Sequence, residues 1–161
     1  MKPKFSFEKS VGAIIFRETS GIKKYLLLHY QSGHWDFPKG HVEEGEDDIE
    51  TLKREASEET GISDLTVMSG FKKGIRYFYK AGKDEAERRK KEGLALNVIK
   101  NVVYYIAETK TDAVKISFEH TGYKWLPYEE ALKKITYKNS KEVLKKANDF
   151  LLNNKQQSLK L

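Results

Sequence analysis

Three carboxylates, Glu55, Glu58 and Glu59, stand at i, i+3 and i+4 in the stretch from Arg54 to Ile62. On a helix this spacing puts all three on one face, where like charges cost an isolated helix roughly a few tenths of a kcal/mol per pair. They also fall near the helix C-terminus, where the dipole disfavours negative charge. A helix built for stability alone would carry Lys or Arg there. Two readings account for the cluster. Either it is a solvated acidic face paired with Lys53 or Arg54, or a hard divalent cation offsets the repulsion. Oxygen donors of this kind suit Mg²⁺, which commonly works together with substrate phosphates.

The helix that must present these carboxylates runs from about Asp47 to Thr60. Asp47 can cap it, with Glu50 three residues on completing a capping-box pair. Ile49, Leu52 and Ala56 form an apolar stripe at helical spacing, and Gly61 ends the helix as a C′ glycine does. A loop, Gln31 to Glu46, precedes it, containing Gly33, Pro38, Gly40 and Gly45. Strands are predicted over Ser10–Phe16, Tyr25–Tyr30, Leu65–Ser69, Phe71–Lys80 and Val98–Ala107, with a turn at Ser20-Gly21 and a short strand at Tyr123–Leu126. Pro127 opens a helix at its first position. A second amphipathic helix runs from about Lys138 to Leu152, and the tail 153–161 reads as frayed.

One segment stands apart. From Lys83 to Glu92 every residue except Ala86 is charged. Such a stretch is expected to contribute little to a core and to form an exposed helix or a mobile excursion over 82–97. Because Glu85, Glu87 and Glu92 interleave with Arg88, Arg89, Lys90 and Lys91, a self-paired helix is favoured over a basic groove.

The whole chain sets the outer bounds. Its 161 residues suit a single domain spanning 1–161. The absence of cysteine excludes a disulfide scaffold, a thiolate zinc site and a cysteine nucleophile. No apolar run approaches the roughly 18 residues of a membrane span. The N-terminus, Met1 to Glu8, has no apolar secretory region, so a cytoplasmic location is expected. The formal net charge of +6 fits an anionic partner, nucleotide or nucleic acid, and equally a Lys/Glu-rich solvated surface. Strands with an embedded helix and terminal helices make the expected class α+β.

The spacing Gly40, five residues, Glu46, seven residues, then Arg54-Glu55-Ala56-Ser57-Glu58-Glu59-Thr60-Gly61-Ile62 resembles the signature box of the Nudix hydrolases. Ala56 is smaller than the aliphatic residue the pattern asks for. The resemblance implies an α/β/α sandwich with a mixed sheet and the Nudix loop-helix. It also implies hydrolysis of a nucleoside diphosphate linked to another group, with Mg²⁺ or Mn²⁺. By the same carry-over Glu58 and Glu59 are metal ligands, Glu55 is a ligand or assists the base, and the Gly40 carbonyl coordinates. Arg54 orients the carboxylates and Glu46 supports the loop. Phosphoanhydride cleavage needs charge neutralised on non-bridging oxygens and an activated water, and clustered carboxylates holding divalent ions supply both.

Flanking residues narrow the resemblance. His34-Trp35-Asp36-Phe37-Pro38-Lys39-Gly40-His41, Glu119-His120, Tyr123, Trp125-Leu126, Glu129-Glu130-Ala131 and Tyr137-Lys138 look like the asymmetrical diadenosine tetraphosphate hydrolases. This implies cleavage of that dinucleotide to ATP and AMP, with Glu119 as a further ligand or general base. Tyr77 and Tyr137 are candidates to sandwich an adenine, or else ordinary packing aromatics. Lys39, Lys100 and Lys138 are candidate phosphate contacts, or else solvated lysines. His34 and His41 either contact phosphate or are structural, and their spacing fits no zinc motif. Trp35 and Trp125 read as packing residues. The partners this reading implies are a dinucleoside polyphosphate or another nucleotide, with RNA as an alternative and no membrane, in a monomer or homodimer. Two rival functions remain: an RNA 5′-end pyrophosphohydrolase or nucleotide scavenger using Arg88 to Lys91, and a nucleotide-sensing module that binds without turnover.

Overall fold

The computed structural model describes residues 3–159, the last four by backbone alone. Strands β1 (Ser6–Thr19) and β2 (Ile22–Tyr30) form a hairpin whose turn residues, Ser20 and Gly21, sit at φ 53° and 78°. Positive φ at both positions matches the strands' right-handed twist. Both strands outrun their expected lengths, because the charged residues beyond each apolar run still pair across the hairpin. The expected loop before the acidic helix holds two short strands, β3 (Trp35–Asp36) on β2 and β4 (Lys39–His41) on β1. Helix α1 (Asp48–Thr60) follows, with the capping box formed in both directions at Asp47 and Glu50. Gly61 ends it at φ 74°, a left-handed conformation that a side chain disfavours.

The chain continues through β5 (Thr66–Val67), β6 (Lys73–Lys80), α2 (Lys83–Lys91), β7 (Asn97–Glu108), β8 (His120–Pro127), α3 (Tyr128–Lys134) and α4 (Lys138–Leu159). The eight strands make one mixed sheet in the order β3-β2-β1-β7-β5, with β4 on β1, β6 on β7 and β8 on β2. Among the described residues only β1–β7 is parallel. One face packs Val11, Ala13, Ile15, Leu26 and Leu28 against Leu52 and Ala56 of α1. The other packs Ile14, Phe16, Tyr25, Leu27, Tyr104 and Ile106 against α3 and α4 through Ala131, Val143, Leu144 and Ala147. The result is the α/β/α sandwich. No helix is long and apolar enough to cross a membrane among the described residues.

Four sequence expectations need correction. The strand expected over 65–69 pairs only at Thr66 and Val67, since Ser69 and Gly70 already turn. Pro127 closes β8 with extended geometry, φ −57° and ψ 160°, and so caps α3 instead of occupying its first turn. The segment 153–159 is helical, as α4 continues without a Gly or Pro to stop it; Lys160 and Leu161 lie outside the described residues. The charged excursion is a helix, exposed along most of its length and self-paired by Arg88–Glu92 and Arg89–Glu85. It is not merely solvated, however. Arg89 is fully buried and bonds Glu8 of β1, and Ala95 beyond it is buried too.

Candidate active site

Two clefts adjoin, one walled by α1 and the other by the start of α4. The first, about 700 Å³, is lined by Gly40, His41, Arg54, Glu55, Glu58, Glu59, Lys39, Lys100 and Glu119. The second, about 520 Å³, is lined by His34, Asp36, Tyr77, Tyr137, Asn139 and Ser140. Tyr30 and Lys39 belong to both. Of the residues expected from sequence to touch metal or substrate, Lys138 is left outside: the first residue of α4, it is exposed and lines neither cleft.

Arg54 organises the acidic wall. Its Nε donates to Glu46 at 2.7 Å, and Nη1 donates to Glu55 at 2.8 Å and to Glu58 at 3.2 Å. Nη2 donates to the His41 carbonyl at 2.9 Å, tying α1 to β4. Glu46 in turn accepts from the Glu43 N–H and from Thr51. The Arg54 guanidinium is the chief reason the Glu46 carboxyl titrates at about 2. Glu55 lies so close to Gly40 that a Cβ there would stand 1.8 Å from the Glu55 carboxyl carbon. Only glycine lets β4 and this carboxylate meet.

Glu59 faces inward at the end of α1, 4% exposed, accepting from the Lys39 N–H at 3.1 Å. Burial, with the Glu55 and Glu119 carboxylates adding to it, pushes the Glu59 carboxyl up to about 8. Glu55 is raised as well, by burial first, with Glu58 and Glu119 adding and Arg54 opposing. Among the described residues no three of these groups stand in ligating geometry as they are, because Arg54 engages Glu55 and Glu58 while Glu59 turns to the Lys39 N–H. The donor chemistry nonetheless fits a hard divalent cation. Every donor is an oxygen, and burial disfavours the ionised form of Glu59, which a bound cation would restore.

The opposite wall is cationic. Burial works against the Lys39 ammonium, but Asp36, bonded to it at 3.0 Å, more than offsets this and raises its pKa. Asp36 is itself fully buried and accepts from the Phe37 N–H at 2.8 Å. Lys100 is lowered by burial and by Lys39 beside it. His41 is lowered by burial first and then by Lys100.

In the second cleft Tyr77 is half-buried and Tyr137 exposed. His34 stacks on Tyr30 with ring centres 4.4 Å apart, lies 5.2 Å from the Tyr137 ring, and has Nδ1 2.7 Å from the Ser32 hydroxyl. Burial lowers its pKa, so near neutral pH it is an uncharged ring buttressing Tyr137. Trp35 stacks on His29 and packs against the core, as a packing residue does. Sequence reading assigns no role to Tyr30, whose hydroxyl holds the Phe37 carbonyl at 2.7 Å, to Asp36 or to Glu8. The Asp36-x-x-Lys39 spacing is the one local signal that could have paired two of the site's residues.

The NUDIX domain model matches residues 6–147. The chain is 37% identical over 155 residues to the asymmetrical bis(5′-nucleosyl)-tetraphosphatase of Mus musculus, covering 89% of this chain and 95% of that protein. It is 34% identical over 149 residues to the enzyme of the same name from Caenorhabditis elegans, covering 89% and 96%. The structure of a C. elegans Ap4A hydrolase binary complex superposes with a TM-score of 0.73 at 32% identity, covering 91% of this chain and 98% of that one.

Proposed function

The chain belongs to the NUDIX family, and from that premise we propose that its reaction is the asymmetric hydrolysis of diadenosine tetraphosphate to ATP and AMP. As a family member it is a hydrolase of nucleoside polyphosphates, acting on a phosphoanhydride bond with a divalent metal. The observation that carries the narrower reading is the pairing of the two clefts through Lys39 and Tyr30. An aromatic-walled cleft suits a base, an acid-and-lysine cleft suits a polyphosphate, and the shared Lys39 marks where the chain would cross from one to the other.

In this reading Glu55, Glu58, Glu59, Glu119 and the Gly40 carbonyl hold the cation. A bound Mg²⁺, or Mn²⁺, neutralises phosphate oxygens and lowers the pKa of water. Arg54 keeps Glu55 and Glu58 on the cleft side of α1, and Glu46 keeps Arg54 in place. Lys39, Lys100 and His41 face the phosphates. Tyr77 and Tyr137 hold an adenine between them, with His34 behind Tyr137. Water attacks the phosphorus at the AMP end, giving up its proton to a cleft carboxylate, Glu55 or Glu119. The bond from that phosphorus to the bridging oxygen breaks and ATP departs.

The RNA alternative has Arg88 to Lys91 track a phosphate backbone. Arg88 and Arg89 are already committed to Glu92, Glu85 and Glu8, which favours the dinucleotide. A substrate panel with product identification tests the proposal: dinucleoside polyphosphates, ADP-ribose, oxidised nucleotides and triphosphorylated RNA, each with Mg²⁺. The highest kcat/KM is expected on diadenosine tetraphosphate. A preference for RNA overturns the substrate assignment, and binding without turnover of any substrate supports the sensing module instead.

A further inference from the structure

Helix α2 sits where the sheet floor of the two clefts ends. The register of β1, β7 and β6 sets Glu8, Lys100 and Tyr77 in one row across three strands, and Ser6, Val98 and Tyr79 in the next. The first row contains the phosphate and base candidates. Helix α2 closes over the second. Its anchor is Arg89, fully buried, donating to Glu85 at 2.7 Å, to the Ala95 carbonyl at 3.2 Å and to Glu8. Glu85 also accepts from the Tyr79 hydroxyl at 3.1 Å, and the Ser6 hydroxyl accepts from the Ala95 N–H at 3.0 Å.

Glu8 joins this anchor to the site. One of its oxygens accepts from Arg89 and the other lies 4.0 Å from His41 Nε2. Its cross-strand neighbour is Lys100. The two cleft lysines are supported differently. Lys39 is bonded to Asp36 at 3.0 Å, itself fixed by the Phe37 N–H, whereas Lys100 makes no direct bond to Glu8 and is favoured by it only through the charge of a cross-strand neighbour that Arg89 fixes. A lysine on a flexible four-carbon stem, repelled by Lys39, needs such an anchored counter-charge to keep one orientation. Without Arg89, the Glu8 carboxylate could swing into solvent or toward the cation face of α1.

We propose that Arg89 is a positioning residue for the hydrolysis: it fixes Glu8, and Glu8 fixes the Lys100 ammonium against the phosphate chain. This rests on the reading of Lys100 as a phosphate contact. It gives the charged helix a part in substrate binding that its exposed surface does not suggest.

The test is a set of steady-state kinetics on diadenosine tetraphosphate with Mg²⁺, alongside thermal melts, for Glu8→Gln, Lys100→Ala, the double variant and Arg89→Lys. Arg89→Lys keeps the buried charge but loses the fork that reaches Glu8, Glu85 and Ala95 together. Glu8→Gln and Arg89→Lys are each expected to raise KM about fivefold with kcat within about twofold. Lys100→Ala should raise KM further, and Glu8→Gln should add nothing in that background, because a residue acting through another is silent once the other is gone. Unchanged KM in folded Glu8→Gln or Arg89→Lys overturns the inference, as does a full Glu8→Gln effect in the Lys100→Ala background. Unchanged KM in Lys100→Ala overturns both the inference and the phosphate assignment beneath it.

Discussion

Helices α1 and α2 are both rich in charge, yet they place it by opposite rules. In α2, Asp84 and Glu85 occupy the first turn and Arg88 to Lys91 the last, so apart from Lys83 at its first position the charges of both end turns agree with the helix dipole. Arg88 then closes on Glu92 and Arg89 on Glu85, and Glu85 and Arg89 reach the sheet at Tyr79 and Glu8. In α1 the first turn is acidic as the dipole asks, but the last turn holds Glu58 and Glu59 and no basic residue. Among the described residues Arg54, one turn earlier, is the ion-pair partner of Glu58, and Glu59 is buried with no ion pair, bonded to the Lys39 N–H. A helix with its charges in order is serving its own stability. One that keeps two carboxylates at the wrong end, facing a cleft, is holding them for something else.

The sharpest way to break this contrast is to neutralise the misplaced charges. Replacing even a supporting residue of a metal site commonly costs about 10- to 100-fold. Glu58→Gln and Glu59→Gln should therefore each lower turnover by at least about 100-fold at saturating Mg²⁺. Near-wild-type rates in either would return the acidic face to plain solvation.

In the neighbouring cleft, Tyr77→Ala or Tyr137→Ala should raise KM about tenfold, since stacking on a base is worth roughly 1–3 kcal/mol. The Phe variants should be mild. Equal losses in Phe and Ala would point to the hydroxyl and remove stacking from the account.

The contrast also has a pH signature in metal-free protein. The Glu59 carboxyl titrates at about 8 when folded, against 4.5 ordinarily. Because folding raises it, stability is fully present below 4.5 and is lost as pH rises through 8, at up to about 1.4 kcal/mol per unit. Glu59→Gln should thus melt higher than wild type in chelator at pH 8 and match it at pH 5. An identical difference at the two pH values would mean that Glu59 is already well compensated. The smallest effect belongs to the orderly helix: Arg88→Ala, breaking only the exposed pair with Glu92, should cost less than about 0.5 kcal/mol by denaturant melts. A larger loss would show that α2 depends on its surface as well as on Arg89.

The same two helices mark how far the sequence could be read. α1 was legible because its signals are local: Asp47 with Glu50, Gly61, and carboxylates whose spacing alone fixes a shared face. The titratable acid and base side chains lining the acidic cleft come mostly from that run and the loop before it, with Glu119 and Lys100 arriving from elsewhere. Arg89 was not legible, because the composition around it reads as solvated and its partner Glu8 lies 81 residues away, brought near only by the parallel pairing of β1 with β7. The short strands β3 and β4 are too brief to show a period of two. Lys138, beside a site residue in sequence, turns outward, because adjacent positions at the start of a helix face different ways.

The central claim is that the carboxylate face of α1, working with a divalent cation, directs water to the AMP end of a dinucleoside tetraphosphate. The most direct measurement is turnover of diadenosine tetraphosphate in ¹⁸O-water with Mg²⁺, with the products resolved by mass spectrometry and a parallel reaction in chelator. The account predicts equal ATP and AMP, the heavy oxygen in AMP alone, and no turnover in chelator. Two ADP, label in ATP, or turnover that survives the chelator would contradict it.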